Sequence, residues 1–181
     1  HFCGYGASET GRDYNTTWIP EVQLRDVYLP PFKACVDEGA ATFMCSFNDI
    51  NGVPSTGNKH LNVDILRKEW GYKGVLVTDW ASIQQMITHG FAEDMKHAAN
   101  LAADASVDMD MMSYAYISEL KKLIDEDKVK LSQIDNAVRN VLKLKYDLGL
   151  FNNPYATSDD STFYTKESLE AAKEAAAQST I

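Results

Sequence analysis

An aspartate that closes an apolar run and is followed at once by tryptophan is a pairing with chemical meaning. In Gly74-Val75-Leu76-Val77-Thr78-Asp79-Trp80 the Asp79 carboxylate would leave a buried strand at its C-terminal end, beside the indole of Trp80. Such a pair suits sugar chemistry, because an oxocarbenium-like transition state needs a nearby anion and pyranose rings pack on aromatic faces. An Asp in that place is also a common helix N-cap, and position alone favours the cap. His1 could donate to a substrate hydroxyl, although a lone terminal histidine is usually unremarkable. Met109, Met111 and Met112 read as core, with Met111 the one best placed to reach a pocket. Asp108 and Asp110 are calcium-ligand types, but the spacing and closing Glu of a calcium loop are missing, so no metal is expected.

Other chemistries are excluded by what is missing. Gly4, Gly6 and Gly11 do not make a GxGxxG loop, and no GKS, GKT, GxSxG or HExxH occurs, so no nucleotide or other cofactor is expected. A net charge of -9 with no stripe of Lys and Arg argues against nucleic acid. No run approaches the roughly 18 apolar residues of a membrane helix, and HFCGYGASETG has no leader pattern. A neutral substrate fits this charge best. Cys3, Cys35 and Cys45 lack CxxC spacing and read as ordinary buried thiols. Asn15-Thr16-Thr17 matches a glycosylation acceptor, a pattern common by chance.

The elements that must position these residues alternate. Short apolar runs at Thr42 to Ser46, Val75 to Thr78 and Val107 to Met111 read as buried parallel strands. Thirty-two residues separate Phe43 from Val75, and 32 separate Val75 from Val107, about one strand-plus-helix unit of a barrel. Helical patterns fill the gaps: Glu21 to Glu38, interrupted by Pro30-Pro31; Val63 to Glu69; Asp94 to Ala105; and Tyr116 to Asp127. The clearest helix runs from Leu131 to Leu148, with Leu131, Ile134, Val138, Val141, Leu142 and Leu148 on one face, a capping box at Ser132 and Asp135, and Gly149 to stop it. The expected fold is therefore α/β, the C-terminal half of a (β/α)8 TIM-like barrel.

In such a barrel the chemistry sits at the C-terminal ends of strands, here His1-Phe2, Phe47-Asn48, Thr78-Asp79-Trp80 and Asp110-Met111. Residues 1–151 would be the second half of the catalytic barrel. Residues 152–181, Asn-Pro rich and then polar to Thr162 before an Ala- and Glu-rich helix from Lys166 to Ala177, would be a linker and the start of a second domain.

At this point the residues resemble glycoside hydrolase family 3, in particular its bacterial periplasmic β-glucosidases. HFCGYGASETGRDYN is similar to the family's KHF loop without its lysine, MCSFNDINGVPS to its MxSYNxxNGxP segment, and WGYKGVLVTDW to its WGFxGxxxSDW nucleophile segment. AVRNVLKLKYDLGLFNNPY resembles the helix and exit that close its barrel, and ESLEAAKEAAAQSTI the entry to its second domain. The resemblance reverses the order of the two readings of Asp79. It implies a retaining exo-β-glycosidase that removes terminal β-linked glucose through a covalent intermediate on Asp79. The substrate would be an oligosaccharide or glycoside: Trp80 would wall the leaving-group subsite, His1 would donate to hydroxyls of the terminal sugar, Met44 and Met111 would line the pocket, and Phe47 would also be among the substrate-binding residues.

Two positions depart from the pattern. Thr78 stands where Ser is usual, and Phe47 where a Tyr commonly hydrogen-bonds near the nucleophile. The alternatives are a β-xylosidase of the same family or an inactive sugar-binding paralogue, for which Phe47 is the hint. The resemblance implies a periplasmic or secreted protein. The oligomeric state stays open, a homodimer being one option. Asp49 is a candidate second carboxyl, but the resemblance points to a glutamate in a second domain.

Overall fold

The computed structural model describes residues 1–155 and 160–179; residues 156–159 of the expected linker, and the last two residues of the expected second-domain entry, lie outside it. Two compact units divide at residues 145 and 146. The first, His1–Lys145, holds the strands and the residues of the expected site. The second, Tyr146–Ile181, contains α7 (Lys166–Ser179), whose described side chains are all without burial.

In the first unit β1 (Thr42–Met44) runs parallel to β4 (Val75–Val77), with Thr42, Phe43 and Met44 opposite Val75, Leu76 and Val77. Single parallel bridges extend the row on both sides, Phe2 to Cys45 and Val77 to Met109. Four chain segments therefore lie side by side, in parallel and in sequence order. The third expected strand, Val107 to Met111, is reduced to this bridge. Residues at positive φ bracket it, Ser106 at 57° and Met112 at 68°, and the left-handed backbone breaks the extended run at both ends. A hairpin of β2 (Asp49–Ile50) and β3 (Val53–Pro54) follows β1.

Alternation along the strands separates two faces. Phe43 and Leu76 point to the helices and join Phe2, Phe32, Trp70 and Tyr72 in an aromatic-rich core. Met44, Val77 and Asp79 belong to the other face. Fully buried Leu61, Ile65, Leu66, Ile83 and Met86 complete the core, each worth about 1.5–3 kcal/mol of apolar transfer.

The predicted helices form, with altered ends. The Glu21 to Glu38 pattern becomes one turn, α1 (Glu21–Gln23), a wide π turn over Leu24–Tyr28, and α2 (Pro30–Asp37). Proline supplies no N–H and is best tolerated in a first helical turn, so α2 starts there. The Val63 to Glu69 pattern is the end of a ten-residue π helix, His60–Glu69, that buries Leu61, Asn62, Ile65 and Leu66. Next come α3 (Ser82–Thr88), α4 (Met95–Asp104) and α5 (Ala115–Asp125). Asp94 caps α4 by accepting from His97 N–H at 2.7 Å.

The helix α6 (Leu131–Asp147) forms as expected, and Gly149 follows it at φ 70°. Its predicted capping box does not. The helix starts at Leu131, which puts Gln133 at the third position, and the Gln133 side chain accepts from Lys130 N–H at 2.8 Å. Nor is the predicted apolar face buried: Leu131, Val138 and Leu142 are exposed in the first unit. Among the thiols, Cys3 and Cys45 are buried as expected, but Cys35 is exposed on α2. Burial pushes Cys3 and Cys45 up to about 12, which keeps both protonated and inert. Among the described residues no helix is long and apolar enough to cross a membrane.

Candidate active site

Asp79 follows β4 directly, and its carboxylate is gripped by one donor on each oxygen. Trp80 N–H reaches Oδ1 at 3.1 Å, and His1 Nε2 reaches Oδ2 at 2.8 Å. The side chain is only 15% exposed. Burial pushes its carboxyl above the ordinary range, and Asp13 adds to that shift. The helix-cap alternative fails on geometry. The N-cap of α3 is Ala81, at φ 56°, and Ser82 N–H turns to the backbone carbonyl of Asp79 at 3.3 Å rather than to its carboxylate. The carboxylate is thus left available for chemistry.

The segment after the Met109 bridge locks this turn. Thr78 Oγ1 accepts from Met111 N–H at 2.7 Å, Met111 carbonyl accepts from Ala81 N–H at 2.7 Å, and Thr78 N–H donates to Met109 at 3.0 Å. One residue, Met111, therefore pins both neighbours of the Asp79-Trp80 pair. Asp110 steadies the same loop by accepting from Ser113 and Tyr116 N–H, and Asp108 is bonded to Arg67, Leu76 N–H and Asn140. Each aspartate is thus committed to its own surroundings.

The Thr78 hydroxyl is wholly buried, so Thr78→Val strands Met111 N–H without an acceptor and costs about 1–3 kcal/mol, while Thr78→Ser keeps most of the bond. Guanidinium unfolding of the two variants measures the difference. Equal stability would show that the bond contributes nothing.

The other expected residues fall into two groups. Met44 lies on the Asp79 face, since it pairs with Val77 two residues before Asp79. Trp80 is 56% exposed, its ring free to meet a ligand and its carbonyl held by Gln85 Nε2 at 3.3 Å. Phe47 stands further out, packed between Tyr14 at 4.5 Å and Tyr5 at 6.1 Å between ring centroids. Asp49 is removed from the list of carboxyl candidates. It is 5% exposed and accepts from Thr16 Oγ1 at 2.8 Å and Gly52 N–H at 2.7 Å, so it holds the hairpin.

Tyr5 and Asp13 were not anticipated. The Tyr5 ring lies 5.3 Å from that of His1, and its hydroxyl donates to Asp13 Oδ1. Burial first, then Asp13 and Asp79, push the phenol well above its ordinary range, so it stays a neutral donor. Neither glycine spacing nor the resemblance of the early loop singles out these two residues. Its one legible signal was the phenol four residues beyond His1.

A separate cavity lies away from the site. That cavity, about 580 Å³, surrounds Arg67, Asp108 and Asn140 at the opposite, N-terminal ends of the strands. In a βα arrangement that end serves stability.

Residues 1–144 match the family model described as glycosyl hydrolase family 3 N terminal domain. The chain is 40% identical to a periplasmic β-glucosidase of Salmonella typhimurium, over 96% of the chain and 24% of that protein. It is 38% identical to a putative β-xylosidase of Formosa agariphila, over 100% of the chain and 24% of that protein. It superposes on the crystal structure of a β-glucosidase from Listeria innocua in complex with glucose with TM-score 0.92 and 43% identity, covering 97% of the chain and 24% of the other. The chain thus spans about a quarter of the length of these relatives.

Proposed function

The chain belongs to glycosyl hydrolase family 3, and from that premise we propose that the protein carrying it is a retaining exo-β-glycosidase of the β-glucosidase type with Asp79 as nucleophile. The observation that carries the reading is the partly buried Asp79 carboxylate at the end of β4, held by His1 and the Trp80 amide and not spent on a helix cap. Relatives named as β-glucosidases support the substrate class.

The chemistry follows from the group. An Asp79 oxygen attacks the anomeric carbon, the bond to the leaving oxygen breaks, and that oxygen takes a proton from an acid. The resulting glycosyl ester is hydrolysed by water, which the same acid, now a base, deprotonates. The two donors on Asp79 aim its oxygens, and burial raises its basicity toward the carbon it attacks. Retention asks for a second carboxyl about 5 to 5.5 Å from the first. With Asp49 committed to the hairpin, we assign the acid to a glutamate of a second domain. His1 serves hydroxyls of the terminal sugar, Trp80 walls the leaving-group side, and Met44 and Met111 line the pocket. Phe47 packs the loop that backs His1.

Residues 1–151 are read as the second half of a (β/α)8 barrel and 152–181 as the passage to the second domain. The four parallel segments in sequence order support the first part. A periplasmic or secreted location is supported by the name of the Salmonella relative.

A β-xylosidase is the second reading, favoured by the Formosa relative. Nitrophenyl glucoside and xyloside assayed side by side rank the two. The mechanism is tested by incubating the full-length protein with a 2-deoxy-2-fluoro glycoside and mapping the adduct by peptide mass spectrometry. It should sit on Asp79. An adduct elsewhere, or a product of inverted configuration, would refute the assignment.

A further inference from the structure

We propose that Tyr5 and Asp13 form a positioning pair for the nucleophile: Asp13 anchors the Tyr5 hydroxyl, the Tyr5 ring backs His1, and His1 aims Asp79. The inference rests on the glycosidase reading and gives a role to two residues to which that reading assigns none.

His1 needs such support. Its side chain is 45% exposed, so burial alone does not fix the imidazole. Among the described residues it has one polar partner, Asp79 Oδ2 at 2.8 Å, and one aromatic neighbour, Tyr5, with ring centroids 5.3 Å apart and planes tilted by 53°. The Tyr5 ring therefore limits how far the imidazole swings from Asp79. Tyr5 is itself held on two sides. Phe47 meets its ring edge-on at 6.1 Å, and its hydroxyl donates to Asp13 Oδ1. The same oxygen accepts from Tyr14 N–H at 3.0 Å, and the Tyr14 ring packs on Phe47 at 4.5 Å, so Asp13 ties both tyrosines around Phe47. Gly4 sets the approach. Between Phe2, bridged to Cys45, and Tyr5 the chain turns at φ 71°, where a Cβ would come within 2.9 Å of Ile19 Cδ1.

The bond between Tyr5 and Asp13 is not what closes this loop. Glu9 N–H donates to the Thr16 carbonyl at 3.1 Å, Asn15 Nδ2 donates to the Glu9 carbonyl at 3.2 Å, and wholly buried Thr17 bridges to Ile50. An exposed hydroxyl–carboxylate bond adds little stability to a loop already closed. Its value is in orientation, since a misplacement of about 1 Å at a reacting group costs on the order of a hundredfold in rate. Charge is a second link. After burial, Asp13 pushes the Asp79 carboxyl upward, and Asp79 in turn acts on the Tyr5 phenol. His1, Tyr5 and Asp13 are the titratable groups around Asp79.

The test uses the full-length enzyme and the better of its two nitrophenyl substrates, glucoside or xyloside. Tyr5→Phe keeps the ring and loses the bond to Asp13, so kcat/KM should fall about tenfold, chiefly through kcat. In a His1→Ala background the same change should cost less than about twofold, because a residue that acts through His1 then has nothing to position. Asp13→Asn keeps an acceptor for Tyr5 and Tyr14 and removes the charge. It should recover most of the rate lost in Asp13→Ala, and its acid limb of kcat/KM should move to lower pH, as removal of a like charge lets Asp79 ionise more readily. A crystal structure of Tyr5→Ala should show His1 Nε2 out of hydrogen-bonding distance of Asp79. A Tyr5→Phe loss as large in the His1→Ala background as in wild type, an acid limb unmoved by Asp13→Asn, or a His1 ring unmoved in Tyr5→Ala overturns the pair and leaves the glycosidase reading standing. A wild type that turns over neither glycoside, with His1 displaced in Tyr5→Ala, overturns the glycosidase reading and upholds the pair.

Discussion

Replacing Asp79 with Asn or Ala in the full-length protein should lower kcat by about three to five orders of magnitude, since in the proposed mechanism this group forms the covalent bond. Asn copies the shape of the carboxylate and keeps one acceptor, for the Trp80 amide, while its NH2 can donate to the unprotonated ring nitrogen of a neutral His1, so the loss is chemical and not structural. Stability supplies the control. The folded carboxyl holds its proton more tightly than the unfolded one, so its contribution is greatest below the unfolded value and is lost as pH rises through the raised folded value. Ionised Asp79 therefore burdens the fold at neutral pH, and Asp79→Asn should melt at the same temperature as wild type or higher. For activity the sign is opposite. In the proposed mechanism Asp79 attacks as the anion, so the acid limb of kcat/KM should lie above the ordinary carboxylate range, with His1, Tyr5 and Asp13 the groups around it. Near-normal turnover in either variant would remove Asp79 from the mechanism.

The second large effect lies at the other end of the strands. Arg67→Ala should cost about 3–5 kcal/mol, a large share of the roughly 5–15 kcal/mol that holds a protein together. The guanidinium reaches Asp108 Oδ2 at 2.6 Å and the carbonyls of Tyr72, Gly74 and Ser106 at 3.2, 2.7 and 3.3 Å. Asp108, 5% exposed, also takes Leu76 N–H at 2.8 Å and Asn140 Nδ2 at 2.9 Å. Deleting Arg67 leaves that anion buried without a cation and three carbonyls without a donor. Burial already pushes the Asp108 carboxyl above its usual range against the pull of Arg67, so without Arg67 it rises further. The deficit should accordingly shrink in acid, as Asp108 takes up its proton. Asp108→Asn should be milder, because it removes the stranded charge and keeps the shape. Guanidinium unfolding across pH measures all three; a loss below about 1 kcal/mol for Arg67→Ala would mark the pair as a screened surface contact.

The apolar runs at Phe43 and Val75, their 32-residue spacing and the helices between them were legible in the sequence because hydrophobic periodicity is local. So was the position of Asp79, which depends only on where β4 ends, and the chemical pairing with Trp80. The caps were less legible. Whether Ser132 or Gln133 caps α6 turns on a one-residue shift in its start, and patterns do not resolve ends that finely. The exposure of Leu131, Val138 and Leu142 on the α6 face was not legible, because periodicity shows which residues share a face and not what covers it.

The tertiary structure decided everything that links distant residues. Asp79 was freed from the capping role by a left-handed Ala81, which Met111, 30 positions later, holds by its carbonyl. Asp49 lost its candidacy through Thr16, and Asp13 joined the site through Tyr5 and not through any neighbour in sequence. Residue types fix which groups can donate, accept or attack, and strand ends fix the side on which they emerge. Whether a given carboxylate is spent on the fold or kept for a ligand depends on partners that only folding brings within hydrogen-bonding distance.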